Sequence, residues 1–231
     1  MGVRGLKTFI ETQCGDCLVK EDLHNCVLLI DGWNLLYYLY NTCKGSNPAF
    51  GGEYDKFEKT VKEFFDILSA CAITPFVLID GSYDESGWKF DTQMKRLKEK
   101  MHNALQLTPT TQGKARLLPL LAEMVFVSVL KELSVPFSQT EFEADETLAA
   151  LALRVDGYVL SNDSDFFVFG VKCVPLSMLE MDIKTRTRLV PVPLSFAQNK
   201  YLLHKKIYIT VLVWCCVSWF NFGRPIYYCL K

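Results

Sequence analysis

Acidic residues are missing from the carboxyl-terminal segment of this chain: none of the 26 Asp and Glu residues lies beyond Asp182. The segment from Ile183 to Lys231 carries eight basic residues, whereas residues 1–182 carry 17 basic and 26 acidic residues, a net charge of −9. An acidic body argues against a protein that wraps nucleic acid through overall positive charge. It is typical of a protein that concentrates carboxylates at one site.

Long hydrophobic runs are also missing. A bilayer span needs about 20 apolar residues, and the nearest candidate, Ile207–Phe220, is interrupted by Thr210 and Ser218. The first residues lack a signal-peptide pattern. The nine cysteines are scattered, and Cys14–Cys17 is a single C-x-x-C without a second pair at zinc spacing. We therefore expect a monomeric intracellular protein with free thiols, in the nucleus or cytoplasm, and no membrane partner.

Strand and helix patterns alternate along the chain. Continuous apolar runs, typical of parallel strands covered on both faces, predict strands at Cys26–Asp31, Pro75–Asp80, Leu133–Gln139 and Gly157–Leu160. Helical periodicity lies between them, at Tyr54–Cys71, Lys89–Leu107, Leu117–Leu130 and Ala144–Arg154, of which the third is predicted to be buried. This alternation predicts an α/β fold around a central, mostly parallel sheet.

Carboxylates follow each predicted strand. Asp31 and Asp80 end the first two strands in Asp-Gly pairs, and the other two strands are followed by the pairs Glu143/Asp145 and Asp163/Asp165. The carboxyl ends of parallel strands share one edge of a sheet, where ligands bind. Because neighbouring carboxylates repel one another, we expect a divalent cation among them. Oxygen ligands favour Mg²⁺, with Mn²⁺ as the alternative, and such ions assist phosphodiester hydrolysis.

Each acidic residue taken singly has a purely structural alternative. An Asp after a strand commonly caps a helix or forms a turn, and acidic residues such as Glu143 and Asp145 complement a helix dipole. Four strand ends that all carry carboxylates favour the cation site over these separate explanations.

Five segments, in the same order, resemble the flap endonuclease/XPG family, and more closely its asteroid-type proteins. The resemblance covers about residues 1–195, and it rests on Met1–Ile10, Val27–Gly32, Val77–Gly81, Phe142–Glu146 and Ser161–Gly170. It implies a PIN-like, flap-endonuclease-like three-layer fold. It also implies a metal-dependent, structure-specific endonuclease acting on single-stranded, flap or overhang DNA. The ligands it implies are Asp31, Asp80, Glu143, Asp145, Asp163 and Asp165.

The same resemblance assigns roles to basic residues. Lys89 and Arg96 are seven residues apart, which places them two turns apart on one helix face. In the family, a Lys and an Arg at this spacing reach the scissile phosphate, while Lys95 and Lys98 would add charge for DNA. The segment that contains Gly2 and Arg4 would also lie near the DNA. A solvated helix face remains the alternative for the residues after Lys89.

The chain departs from the family after its D-x-D strand. The family's active members carry a further metal-binding Asp and a helix-hairpin-helix region there, and this chain has no acidic residue after Asp182. We therefore expect one well-supplied cation site and an incomplete second one. The alternative function is a catalytically weakened PIN-like module that binds nucleic acid or a protein partner.

The segment 196–231 does not resemble the family. Its hydrophobic and basic composition has three interpretations: an altered or alternatively spliced ending, a membrane-proximal anchor, or a terminal strand packed on the body. The first is favoured, and it predicts an aggregation-prone tail. The predicted division is therefore a nuclease domain at 1–195 and an atypical tail at 196–231.

Overall fold

A five-stranded parallel sheet forms the centre of the protein. The computed structural model describes residues 6, 8, 10, 23–43, 48, 52–81, 90–108, 117–181 and 189–190. The strands are β1 (Val27–Asp31), β2 (Thr74–Ile79), β3 (Phe137–Gln139), β4 (Tyr158–Leu160) and β5 (Lys172–Val174). Their order is β3-β2-β1-β4-β5, and each neighbouring pair is parallel. The predicted α/β class is therefore confirmed.

This strand order creates a topological switch point. The chain runs outward from β1 through β2 to β3, and then returns to place β4 on the other side of β1. In open α/β sheets, ligands bind beyond the carboxyl ends of the strands at such a reversal. The ends of β1 and β4, at Asp31 and Leu160, are therefore the expected position of a functional site.

Six helices accompany the sheet among the described residues. They are α1 (Gly32–Thr42), α2 (Tyr54–Ala70), α3 (Phe90–Leu105), α4 (Ala122–Glu132), α5 (Asp145–Val155) and α6 (Asp165–Phe169). A 3₁₀ turn at Leu176–Met178 follows β5, and two short antiparallel strands, β6 (Glu180–Met181) and β7 (Leu189–Val190), pair with each other.

Both faces of the sheet are covered by apolar side chains. In β1, Leu28 and Ile30 join a cluster that includes residues of α1, α2 and α4, whereas Leu29 joins a second cluster with residues of α5 and α6. Leu6 and Ile10 are buried in the second cluster. Complete burial of one such side chain contributes about 1.5–3 kcal/mol. The alternation along β1 thus produces the predicted three-layer arrangement.

Several elements differ from the sequence predictions. The third strand is shorter than predicted because Leu133 caps α4 and the extended ladder begins only at Phe137. The helix α4 begins at Ala122, five residues later than predicted, and it is not wholly buried: Leu120 before it is 91% exposed and Met124 is 68% exposed. Only the α4 side that carries Phe126, Val129 and Leu130 packs into the core.

Several elements have no counterpart in the sequence predictions, among them α1, α6, β5 and the pair β6–β7. The helix α1 starts directly after Asp31, where the sequence allows a helix cap or a turn, and α6 and β5 are only five and three residues long. Within the described part of the chain, no helix combines the length and the apolarity that crossing a bilayer requires. The tail at 196–231 lies outside the described residues, so its predicted behaviour stays a prediction.

Candidate metal centre

Asp31 lies where β1 ends and α1 begins. Its Oδ1 accepts a hydrogen bond from the backbone N–H of Asn34 at 3.1 Å, so Asp31 caps α1. Its Oδ2 accepts a hydrogen bond from the Ser161 hydroxyl at 2.9 Å. Burial raises the pKa of Asp31 to about 6, although these two hydrogen bonds oppose the rise. The charges of Asp80 and Asp163 raise it further. The capping alternative is therefore correct for Asp31, and it coexists with a cluster of carboxylates.

Asp80 follows β2 and holds the start of α5. Its Oδ1 accepts a hydrogen bond from the backbone N–H of Ala144 at 2.8 Å. The next residue, Gly81, donates its N–H to the Phe142 carbonyl at 2.7 Å. A Cβ atom at position 81 would lie 1.9 Å from the Thr140 carbonyl oxygen, so only glycine permits this approach. The second Asp-Gly pair therefore fastens the segment before α5 to the end of β2.

Asp145, the first residue of α5, is brought towards the strand ends by this contact. Burial raises the pKa of Asp145 to about 7, and the charges of Asp31, Asp163 and Asp80 add to the effect. Four carboxylates from three strand ends and one helix start therefore act on one another. We call this set, Asp31, Asp80, Asp145 and Asp163, the rim carboxylates.

The fourth rim carboxylate lies in the turn after β4. Asp163 donates its backbone N–H to the Ser161 hydroxyl at 3.0 Å, and its Oδ1 accepts the N–H of Asp165 at 3.1 Å. Asp165 is the first residue of α6 and is partly buried, whereas Glu143 is exposed on the segment before α5. Of the six predicted ligands, the structure thus gathers four, and it places Asp165 and Glu143 beside them in the chain.

The chemistry of these residues suits a hydrated Mg²⁺ or Mn²⁺ ion. Every side chain in the set offers carboxylate oxygens, and the pKa values of Asp31 and Asp145 are raised because burial, together with the neighbouring carboxylates, disfavours their charged forms. Among the described residues, no group of three or more His, Cys, Asp or Glu side chains is spaced to hold a metal ion directly. Mg²⁺ retains several waters and takes only one or two carboxylates directly, so this wider spacing is compatible with it.

A hydrogen-bonded network beneath the rim was not predicted from the sequence. The Asn34 Oδ1 atom accepts the backbone N–H of Asn162 at 3.2 Å, and the Asn162 Oδ1 atom accepts the N–H of Ser177 at 2.9 Å. Ser161, which links Asp31 to Asp163, is only 1% exposed. The available signal was the presence of these polar residues next to apolar runs, in Asp31-Gly-Trp-Asn34 and in Leu160-Ser-Asn-Asp163.

The predicted basic residues are only partly described. Lys95, Arg96 and Lys98 are exposed on α3. Gly2, Arg4 and Lys89 lie outside the described residues, so the pairing of Lys89 with Arg96 stays a prediction. The structure therefore shows an accessible basic helix.

Comparison with known proteins identifies related chains. Protein asteroid of Drosophila melanogaster is 41% identical over 186 residues, which cover 80% of this chain and 21% of that protein. The protein of Danio rerio named single-strand DNA endonuclease ASTE1 is 47% identical over 175 residues, covering 74% of this chain and 24% of that protein. The chain is a homologue of the asteroid proteins. It spans roughly a fifth to a quarter of the length of these relatives, and no family profile matches it.

Solved structures agree on the fold of this asteroid homologue. Flap endonuclease-1 from Methanococcus jannaschii superimposes with a TM-score of 0.53 at 17% identity, over 94% of this chain and 79% of that one. The catalytic core of Rad2 in complex with DNA substrate gives a TM-score of 0.55 at 16% identity, over 83% of this chain and 55% of that one. The predicted PIN-like, flap-endonuclease-like fold is thereby confirmed.

Proposed function

We propose that this chain carries the nuclease region of a divalent-cation-dependent, structure-specific DNA endonuclease of the asteroid type. Single-stranded, flap and overhang DNA are the proposed substrates. The observation that carries the proposal is that four carboxylates at the carboxyl-terminal edge of the sheet influence one another's charge, around the switch point between β1 and β4. The proposal is supported by homology to a protein named single-strand DNA endonuclease.

The rim carboxylates would hold the cation, with Glu143 and Asp165 as flanking ligands. A bound Mg²⁺ or Mn²⁺ ion would supply Lewis-acid stabilisation of the phosphodiester and would lower the pKa of water. A second cation site, less completely supplied, remains a prediction from the sequence. The nuclear or cytoplasmic location also remains a prediction.

Residues of this chain would determine the pH range in which the cation binds, and others would attract the DNA. Burial raises the pKa of Asp31 to about 6 and that of Asp145 to about 7, so protons compete with a cation for these two carboxylates increasingly as the pH falls below about 7. The Asn34 N–H and the Ser161 hydroxyl orient the Asp31 oxygens. Lys95, Arg96 and Lys98 would attract phosphates to a body that is otherwise acidic.

A cleavage assay tests the proposal. Fluorescent single-stranded, flap and overhang DNA are incubated with the full chain and with Mg²⁺, Mn²⁺ or a chelator. We expect cleavage with either ion, none with the chelator, and none from Asp80→Asn or Asp163→Asn. Asp66→Asn, which makes the same change on the exposed side of α2, should cleave like the wild type. Cleavage in the presence of chelator, or full activity of Asp80→Asn, would refute the proposal.

The second candidate is a non-enzymatic module that keeps the fold and binds nucleic acid or a protein. The spacing of the described carboxylates favours it, because they do not form a finished coordination shell. Calorimetric titration with Mn²⁺ separates the candidates. Binding at millimolar or lower concentration supports the nuclease, whereas no binding together with retained DNA affinity supports the module.

A further inference from the structure

We propose that Asn34 is a positioning residue that fixes the two carboxylate-bearing strand ends, β1 and β4, relative to each other. This inference rests on the proposed function, because the carboxylates it positions are the proposed cation ligands. Asn34 lies in the first turn of α1. Its backbone N–H holds Asp31, and its side-chain oxygen holds the backbone N–H of Asn162. One residue thus contacts both sides of the switch point.

The ladder between β1 and β4 ends below the site. Its last paired residues are Ile30 and Leu160, so Asp31 and the turn that carries Asp163 extend beyond it. The spacing of the two carboxylates above the ladder therefore depends on side-chain bridges. Two such bridges are present: the Ser161 hydroxyl contacts Asp31 directly, and Asn34 contacts the turn through the Asn162 N–H.

The two bridges differ in what they constrain. Ser161 belongs to the turn itself: its hydroxyl joins the Asp31 carboxylate to the backbone N–H of Asp163, and it can follow a rotation of that carboxylate. Asn34 is anchored in a helix by its own backbone and grips a backbone N–H one residue before Asp163. It therefore fixes the path of the turn itself. Groups that orient metal ligands from outside the coordination shell affect cation affinity by about 10–100-fold.

Cation affinity of the full chain provides the main test. Mn²⁺ binding is measured by calorimetry and by electron paramagnetic resonance for the wild type, Asn34→Ala and Asn34→Asp. We expect Asn34→Ala to bind Mn²⁺ at least about tenfold more weakly, because the bridge to Asn162 is lost. Asn34→Asp keeps an acceptor oxygen at the same position, and we expect it to bind at least as tightly as the wild type.

Hydrogen exchange of the Asn162 amide supplies a readout that is independent of the cation. Its N–H should lose protection in Asn34→Ala and keep it in Asn34→Asp. Asn162→Ala is the matched comparison, because it removes an amide side chain and the contact to Ser177 but keeps the backbone N–H that Asn34 accepts. We expect its Mn²⁺ affinity to fall less than that of Asn34→Ala.

The outcomes distinguish a failure of this inference from a failure of the proposed function on which it rests. A wild type that binds no Mn²⁺ would overturn the proposed function and this inference together. A wild type that binds, with Asn34→Ala binding equally well, would overturn the inference alone. An equal loss in Asn162→Ala and Asn34→Ala would also overturn it, since general anchoring of the turn would then explain the effect.

Discussion

The rim carboxylates and the basic helix α3 carry opposite charges, and they differ in burial and in hydrogen bonding. Asp31 and Asp80 are partly buried and accept hydrogen bonds from residues of other elements. In contrast, Lys95, Arg96 and Lys98 are exposed, and α3 exposes even apolar side chains such as Met101, at 60%. Cation ligation requires oxygens at fixed positions, whereas phosphate attraction acts over a Debye length of about 10 Å. The comparison predicts large effects at the rim and small, salt-dependent effects on α3.

The largest effect is expected from Asp31→Asn. Cleavage should fall by more than about 100-fold, since altering residues outside a coordination shell alone costs 10–100-fold. The metal-free protein should become more stable at pH 8, because a buried charge is removed. The pKa rise of Asp31 from 3.8 to about 6 sets this gain at up to about 3 kcal/mol. Urea unfolding in chelator measures it, with Asp66→Asn as the control. A less stable variant would contradict the proposed cost of burying Asp31.

The next effect is the pH dependence of the metal-free protein. Asp31 and Asp145 have raised pKa values, so the folded state retains protons that the unfolded state releases. The free energy of unfolding therefore falls as pH rises from about 4 to 7. We expect the melting temperature in chelator to be lower at pH 8 than at pH 5. Mg²⁺ should restore it at pH 8 and have little effect at pH 5.

Two variants test whether the rim carboxylates cause this dependence of the melting temperature on pH. Asp31→Asn and Asp145→Asn should each flatten the decline of the melting temperature with pH. Asp156→Asn changes an acidic residue that pairs with Lys172 on the surface, and it should leave the decline in place. A wild type that is more stable at pH 8 than at pH 5 in chelator, with both rim variants unchanged, would contradict the expected sign of this pH dependence.

A glycine substitution tests how the rim is held together. In Gly81→Ala, the new Cβ atom would lie 1.9 Å from the Thr140 carbonyl oxygen, so the segment before α5 must shift. Overpacking of this kind costs about 1–3 kcal/mol, and the shift would also loosen the contact from Asp80 to Ala144. Gly157→Ala is the matched control at the opposite end of the sheet, where the nearest atom, the Val27 carbonyl oxygen, is 3.0 Å away. It should cost less and leave Mn²⁺ affinity unchanged. Equal losses of affinity would contradict the role assigned to Gly81.

The sheet and its acidic edge could be predicted from the sequence for a simple physical reason. A strand buried on both faces is a continuous apolar run, and a carboxylate that ends such a run is conspicuous, as in Val27–Asp31 and Val77–Asp80. The parallel order then brings the ends to one edge. The PIN-like fold came from the resemblance of whole segments and not from these runs alone.

The remaining features depend on tertiary contacts that local patterns do not encode. The Asp31-Gly32 pair is compatible with a helix cap or a turn, and only the fold decides between them: a helix starts at Gly32, which packs so closely on β2 that a Cβ atom would lie 2.9 Å from the Leu78 carbonyl oxygen. The bridge from Asn34 to Asn162 joins residues 128 positions apart, and only the register of β1 with β4 brings them together. The exposure of Leu120 and Met124 likewise depends on which side of α4 the core covers.

The smallest effect is expected from the basic helix, and it completes the comparison. Lys95→Ala and Lys98→Ala should each raise KM a few-fold and leave kcat and the melting temperature unchanged, because exposed charges on α3 support no packing. Each lost phosphate contact should reduce the salt dependence of DNA binding by about one unit of slope. Lys59→Ala removes the same charge from the exposed side of α2 and should change neither quantity. If Lys95→Ala instead lowered kcat at saturating DNA, Lys95 would act at the reacting phosphate. The contrast between carboxylates held at fixed positions and exposed basic residues that attract DNA only at a distance would then be wrong.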